Sequence, residues 1–246
     1  MRSFTRAMLL DFMARHYTPD RMVLAAAGRL THERVVALTE RLLRGVALRP
    51  TNHRQRQPVP PYRPGERVER RSVQQAHLVL GGRGYDLHHP HRAALTVLNT
   101  ILGGGMSSRL NQNIRERYGY CYNIYSFVNL HSDVGDWGVY MGTDPRRVSR
   151  AEQLIRRELE RLVQEPVGRR VLTHAKNQVK GTLMLGQENM SSRMMRLGRQ
   201  ELYFGRYYSL DEALQEVDRV TAEEVQAVAR ELFAEQPYSK VVLLPE

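Results

Sequence analysis

The sequence predicts an α+β fold assembled from duplicated units, with an antiparallel or mixed sheet packed against helices. Three observations predict it. First, FTRAMLLDFMARHYTPDRMVLAAAG near the start is mirrored by VTAEEVQAVARELFAEQPYSKVVLLPE at the end. In each copy a threonine able to cap a helix, Thr5 or Thr221, lies twelve positions before an aromatic residue, Tyr17 or Phe233. A proline turn and an apolar run follow, and such self-similarity marks repeated structural units. Second, stretches of helical spacing are interleaved with short β-branched and aromatic runs. Third, residues 45–71 hold five prolines among arginines and have neither period. This divides the chain into residues 1–44, the tail of one unit, a Pro/Arg-rich linker over 45–71, and a complete unit over 72–246.

The elements follow in order. Residues 3–17 form an amphipathic helix started by Ser3 or Thr5, with Met8, Leu9, Phe12 and Met13 turned inward. Met22 to Ala27 is a continuous apolar run between turn residues, the pattern of a buried strand. Thr31 caps a second helix, whose inner face carries Val35, Val36, Leu38, Leu42 and Leu43. Past the linker, Val73 to Gly82 is a strand, and Leu95, Leu98, Ile101 and Leu102 give helical spacing up to Gly103-Gly104-Gly105. Ser107 or Ser108 starts a new helix with Leu110 and Ile114 on its buried face, and Gly119 stops it. Tyr122 to Asn129 is a strand that pairs as a hairpin with Trp137 to Thr143. A charged helix over 145–164 turns Ala151, Leu154, Ile155, Leu159 and Leu162 inward. Two helices then span 167–205 with a break near 186–189, and their Met184, Met190, Met194 and Met195 read as core filling. A short helix at 210–217, a helix opened by Thr221 and a strand at 240–244 complete the chain.

At 246 residues, 41% hydrophobic and 26% charged, the chain has the composition of an ordinary globular protein with a real core. No apolar run approaches the roughly 20 residues that span a bilayer, so no membrane partner is expected. No basic-then-apolar leader follows Met1, which favours the cytoplasm, the periplasm staying open if residues precede Met1. A lone cysteine, Cys121, excludes an internal disulfide and reads as a small residue flanking a strand. The net charge of +11 raises nucleic acid as a partner. Against it, arginines alternate with glutamates along helices, as in RRELERL, and no helix-turn-helix, zinc-finger or aromatic RNA-binding signature accompanies them. The charge reads as a solvated surface.

The stretch LGGGMSSRLNQNIRERYGYCYNIYS resembles the C-terminal half of the pitrilysin/insulinase family of zinc metallopeptidases, which includes the mitochondrial processing peptidases and many bacterial zinc proteases. The resemblance extends over nearly the whole chain. It implies two homologous α+β halves around a chamber, and an arginine and a tyrosine seven positions apart that face the zinc site across it. By match these are Arg115 and Tyr122. Asn111 departs from the pattern, since the family usually places a bulky apolar residue there, and it puts the local packing in question.

The family's zinc ligands belong to an H-x-x-E-H helix and a later glutamate. None of the nine histidines here starts that motif or its mirror image H-E-x-x-H. His88, His89 and His91 lie together ahead of a helix, where adjacent side chains converge poorly on a tetrahedral ion. No metal ligand and no catalytic residue is therefore expected in this chain alone. The resemblance implies the non-zinc half of a metalloendopeptidase that helps enclose peptide or small-protein substrates, with Arg115 and Tyr122 binding substrate or transition state. Zinc is expected in the missing half or a partner chain. The competing reading is a non-catalytic partner or scaffold subunit that associates with a zinc-bearing chain; homo-oligomers stay open in both.

Overall fold

The computed structural model describes residues 4–45 and 57–246. Its helices are α1 (Arg6–His16), α2 (His32–Leu43), α3 (Arg92–Gly103), α4 (Val148–Gln164), α5 (Arg169–Leu185), α6 (Met190–Phe204), α7 (Leu210–Arg219) and α8 (Ala222–Arg230). Its strands are β1 (Glu66–Arg71), β2 (Ala76–Gly84), β3 (Cys121–Leu130), β4 (Gly135–Thr143) and β5 (Ser239–Pro245). Two π-helical segments, Asn111–Glu116 and Glu231–Glu235, continue helical stretches. The chain divides into two compact units, residues 1–58 with 183–210, and residues 59–182 with 211–246.

The second unit contains the sheet, in the order β1-β5-β2-β4-β3. β1 runs parallel to β5, and every other neighbouring pair is antiparallel, so the sheet is mixed. Alternation assigns its two faces. Leu78, Leu80, Ile124, Val139, Met141 and Val242 are buried on one face. The stripes of α3 (Leu95, Leu98, Leu102), α4 (Ile155, Leu159, Leu162) and α8 (Val225, Val228, Ala229) are buried as well, making a helix layer on that face. The α+β expectation is met by this five-stranded mixed sheet packed against helices. Close approach explains one glycine: a Cβ on Gly103 would collide with the backbone nitrogen and side chain of Ser126 in β3.

Strand β1 lies inside the segment read as linker. Its sequence ERVERR lacks alternation because an edge strand exposed on both faces needs no apolar period, and edge charges block further pairing. It is held instead by the ladder to β5 and by Lys240, whose Nζ is 3.0 Å from Glu66 and 3.6 Å from Glu152. Tyr62, also in that segment, has its hydroxyl 2.6 Å from Ser239 Oγ. Residues 46–56 of the expected linker lie outside the described residues, as does Ser3, one of the two caps considered for the first helix.

The first unit comprises α1, α2 and α6 with the irregular segment 22–27. Thr5 caps α1 by accepting from Met8 N, and Thr31 caps α2 by accepting from Arg34 N, as their positions imply. The expected inward stripes, however, are bare. Phe12 is 52% exposed and Leu9, Met8 and Met13 are similar, while Val36, Leu38, Leu42 and Leu43 of α2 are exposed too. Met184, Met190 and Met195, expected in a core, are likewise exposed. Met22 to Ala27, expected as a buried strand, forms no regular element and has no ladder partner among the described residues, and Leu24 is 66% exposed. Amphipathic spacing shows which face of an element can be buried; it does not supply the surface that buries it. The second copy of the repeat makes the contrast plain: Val225 and Val228, at the positions equivalent to Leu9 and Phe12, are 0% and 2% exposed.

Candidate functional site

The stretch carrying Arg115 and Tyr122 is built by three local devices. The first is the buried side chain of Asn111. Its Nδ2 lies 3.1 Å from Gly105 O, 3.3 Å from Ser108 Oγ and 3.2 Å from Ile124 O. An amide thus stitches the glycine turn to β3, where a bulky apolar side chain could satisfy none of these acceptors. It also explains Ser108, which is buried and bonded to Asn111 rather than capping a backbone N–H. The helical run from this turn has π geometry over Asn111–Glu116, the kind of irregularity found at functional sites.

The second device is Gly119. It stops the helix with φ of +59°, a left-handed conformation that favours glycine, and its N–H donates to Arg115 O at 2.9 Å. The third is a β-bulge. Cys121 opposes Thr143 and Asn123 opposes Gly142, which leaves Tyr122 as the extra residue. A bulge re-aims the side chain that it carries. Tyr122 is accordingly 89% exposed, while Cys121 and Ile124 on either side turn into the core.

Arg115 and Tyr122 line one open cleft of about 670 Å³, together with Gln75, Thr143, Asp144 and Arg147. Arg115 is half-exposed, its Nε 3.9 Å from Glu116 Oε1. Arg147 donates to Gly119 O at 3.0 Å and stands 5.3 Å over the Tyr120 ring, tying the start of α4 to the turn. Thr143 donates to Tyr120 O, and Asp144 accepts from Arg146 N at 2.8 Å. Burial pushes the Cys121 thiol up to about 11, and the nearby Arg115 charge offsets only part of that. At neutral pH Cys121 is therefore a protonated core residue and not a nucleophile. The cleft offers a phenolic donor free to reach an incoming oxygen and a guanidinium fork beside it.

The donors among the described residues do not fit zinc. Among the described residues no three His, Cys, Asp or Glu side chains are grouped to hold a metal ion. In the one histidine cluster, His89 stacks on Tyr85 with ring centroids 3.7 Å apart, and its Nδ1 accepts from His91 N at 3.2 Å. Those contacts leave no convergent set. Gln75, Thr143 and Arg147 were invisible as site residues in the sequence, because they come from the bend before β2, the end of β4 and the start of α4, which meet only in space. No helix among the described residues is long and apolar enough to cross a membrane.

Comparison with known proteins gives the family and the fold. The family description "Peptidase M16 inactive domain" matches residues 3–179. An uncharacterized zinc protease of Mycobacterium tuberculosis is 40% identical over 98% of this chain and 56% of its own length. The uncharacterized zinc protease YmxG of Bacillus subtilis is 32% identical over 99% of this chain and 58% of its own. The chain thus spans little more than half of the curated relatives that it matches. Among solved structures, a peptidase M16 inactive domain from Pseudomonas fluorescens superposes with a TM-score of 0.87 at 22% identity, covering 99% of this chain and 58% of that one, which supports the fold.

Proposed function

The chain belongs to the peptidase M16 family through its inactive domain, and on that premise we propose that it is the non-zinc half of a metalloendopeptidase. In this reading it closes one side of a peptide-binding chamber and presents Arg115 and Tyr122 to the substrate. The observation that carries it is that both side chains line one open cleft, with Tyr122 thrust outward by a bulge. The Tyr122 hydroxyl donates to the oxygen of the scissile carbonyl as negative charge builds on it, and Arg115 holds the substrate through its planar fork. Peptide hydrolysis takes zinc and its ligands from a second body, a division supported by the sequence's lack of H-x-x-E-H and by the absence of a grouped donor set among the described residues. The relatives' name, zinc protease, supports that division of labour.

The domain reading follows from the repeat. Residues 1–44 are the tail of a preceding unit, and Met22 to Ala27 corresponds to β5. β5 sits between a parallel and an antiparallel neighbour. The bare segment is completed by two such strands of the zinc-bearing unit, and the exposed faces of α1 and α2 are covered with it. The same bare surface favours the second reading, a subunit that works by association with a zinc-bearing chain. Both are tested by co-expressing this chain with the part of the Mycobacterium tuberculosis zinc protease that lies outside the 56% matched here. Co-purification and zinc-dependent peptide hydrolysis support the enzyme reading, and co-purification without hydrolysis supports the scaffold. Stoichiometric zinc and hydrolysis by the purified chain alone would overturn both.

A further inference from the structure

The helix-free face of the sheet carries an aromatic shelf beside the cleft. In the ladder Tyr125 opposes Tyr140, Tyr140 opposes Val79, and Val79 opposes Val241, so four side chains form one row across four strands. The Tyr125 and Tyr140 rings are 5.0 Å apart between centroids, and Phe127 adjoins Tyr125 at 6.3 Å. Tyr140 is fixed in place: its hydroxyl is 2.8 Å from His77 Nδ1, and it stands between Gly138 and Gly142 on β4. The Phe127 ring fills the space a Cβ on Gly138 would take, 2.5 Å from its Cζ. Gly142 is overlaid by the Gln75 amide, which also lines the cleft of Arg115 and Tyr122. Shelf and cleft are therefore adjacent. Tyr125 is 41% exposed and Val241 is similar, so the row keeps apolar surface open to solvent. Neither carboxylate nor Lys or Arg belongs to the row itself.

Resting on the reading above, in which a peptide lies against Tyr122, we propose that this shelf is a specificity subsite for one aromatic or long aliphatic substrate side chain. Tyr125 and Tyr140 form its floor, and Val79 and Val241 extend it. Tyr125 lies three residues beyond Tyr122, about 10 Å along an extended strand. An extended peptide advances by the same step, so the side chain that fits is the third from the carbonyl held at Tyr122. Planar rings already packed against one another lose little freedom on accepting another ring. The fixed tyrosines thus select shape and apolarity rather than charge.

The test compares two fluorescently labelled capped nonapeptides of Gly, Ser and Asn, one with a single Phe and the other with Ser in its place. Their binding to the purified full chain is read by anisotropy. The Phe peptide should bind about tenfold more tightly. Tyr125→Ser should bring the ratio close to one with the unfolding midpoint near the parent; Tyr140→Ser should do the same at a lowered midpoint, since it loses the His77 hydrogen bond, and Tyr125→Ser keeps the test valid if Tyr140→Ser misfolds. Arg115→Ala should weaken both peptides alike and preserve the ratio. Equal binding of the two peptides to the parent chain, or an intact ratio in a folded Tyr125→Ser, overturns the subsite. An unchanged affinity in Arg115→Ala, with discrimination still lost in Tyr125→Ser, leaves the subsite standing and removes Arg115 from substrate binding.

Discussion

Replacing Asn111 by Leu, the kind of residue the family's pattern favours there, should destabilise the sheet unit. The magnitude follows from its hydrogen bonds. Gly105 O keeps a second donor, Ser108 N at 3.1 Å, so that carbonyl loses little. Ile124, a buried residue near the start of edge strand β3, loses for its carbonyl the Asn111 amide at 3.2 Å. Stranding one buried acceptor costs about 2 kcal/mol, and forcing a branched apolar side chain among Ser108 and two carbonyls adds about 1 kcal/mol. A loss of about 3 kcal/mol is expected. Trp137 is the only tryptophan of the chain, and it is buried in the sheet unit, so its fluorescence reads that unit's unfolding. With a urea slope of about 2 kcal/mol/M, the midpoint should fall by about 1.5 M at unchanged slope. Asn111→Asp, which keeps the shape and loses the donor, should fall comparably. A midpoint within about 0.3 M of the parent for Asn111→Leu would refute the stitching role.

Three further outcomes are expected. Gly119→Ala should cost about 1 kcal/mol, because φ of +59° strains any residue with a Cβ, and it should displace Arg115 and Tyr122 together; equilibrium unfolding followed by Trp137 checks the first part. Cys121 should react with a thiol reagent slowly at neutral pH, with a rate that climbs about tenfold per pH unit until it levels near 11. Because folding raises this acid's pKa, the folded state holds its proton longer than the unfolded one. That contribution is intact below the unfolded thiol's pKa and is lost as pH rises through about 11, so Cys121→Ser should flatten the alkaline decline in stability. Limited proteolysis should cut first within residues 45–61 and leave a resistant piece that retains Tyr62 and β1, since both are bonded to β5. Sequencing its N-terminus tests this, and a first cut inside Leu102–Asn129 would contradict it.

Much of the fold was legible because its signals are local. Thr5, Thr31 and Thr221 cap the helices that their positions announced, and the Tyr122–Asn129 and Trp137–Thr143 strands pair as the hairpin expected of them. The glycine stop at Gly119 was readable for the same reason. Edge strand β1 was not, because exposure on both faces removes the alternation that marks a strand. The stripes of α1 and α2 and the run at Met22 were read correctly as apolar surfaces and wrongly as buried ones, since burial depends on a partner that spacing cannot name. At the site, Arg115 and Tyr122 came from the resemblance and their cleft from the structure. The bulge that turns Tyr122 outward depends on a register shift against Thr143 and Gly142, which no short-range pattern encodes.

The central claim is tested most directly by the turnover of Tyr122→Phe in an enzyme reconstituted with the zinc-bearing half proposed for it. The substitution removes one hydroxyl from a side chain that is 89% exposed, so the unfolding midpoint should stay with the parent. If that hydroxyl donates to the oxyanion, kcat should fall about 100-fold with little change in KM. Arg115→Lys, which keeps the charge and loses the fork, should also lower kcat/KM. Parental turnover in Tyr122→Phe would contradict the account and leave this domain a wall without a part in the chemistry.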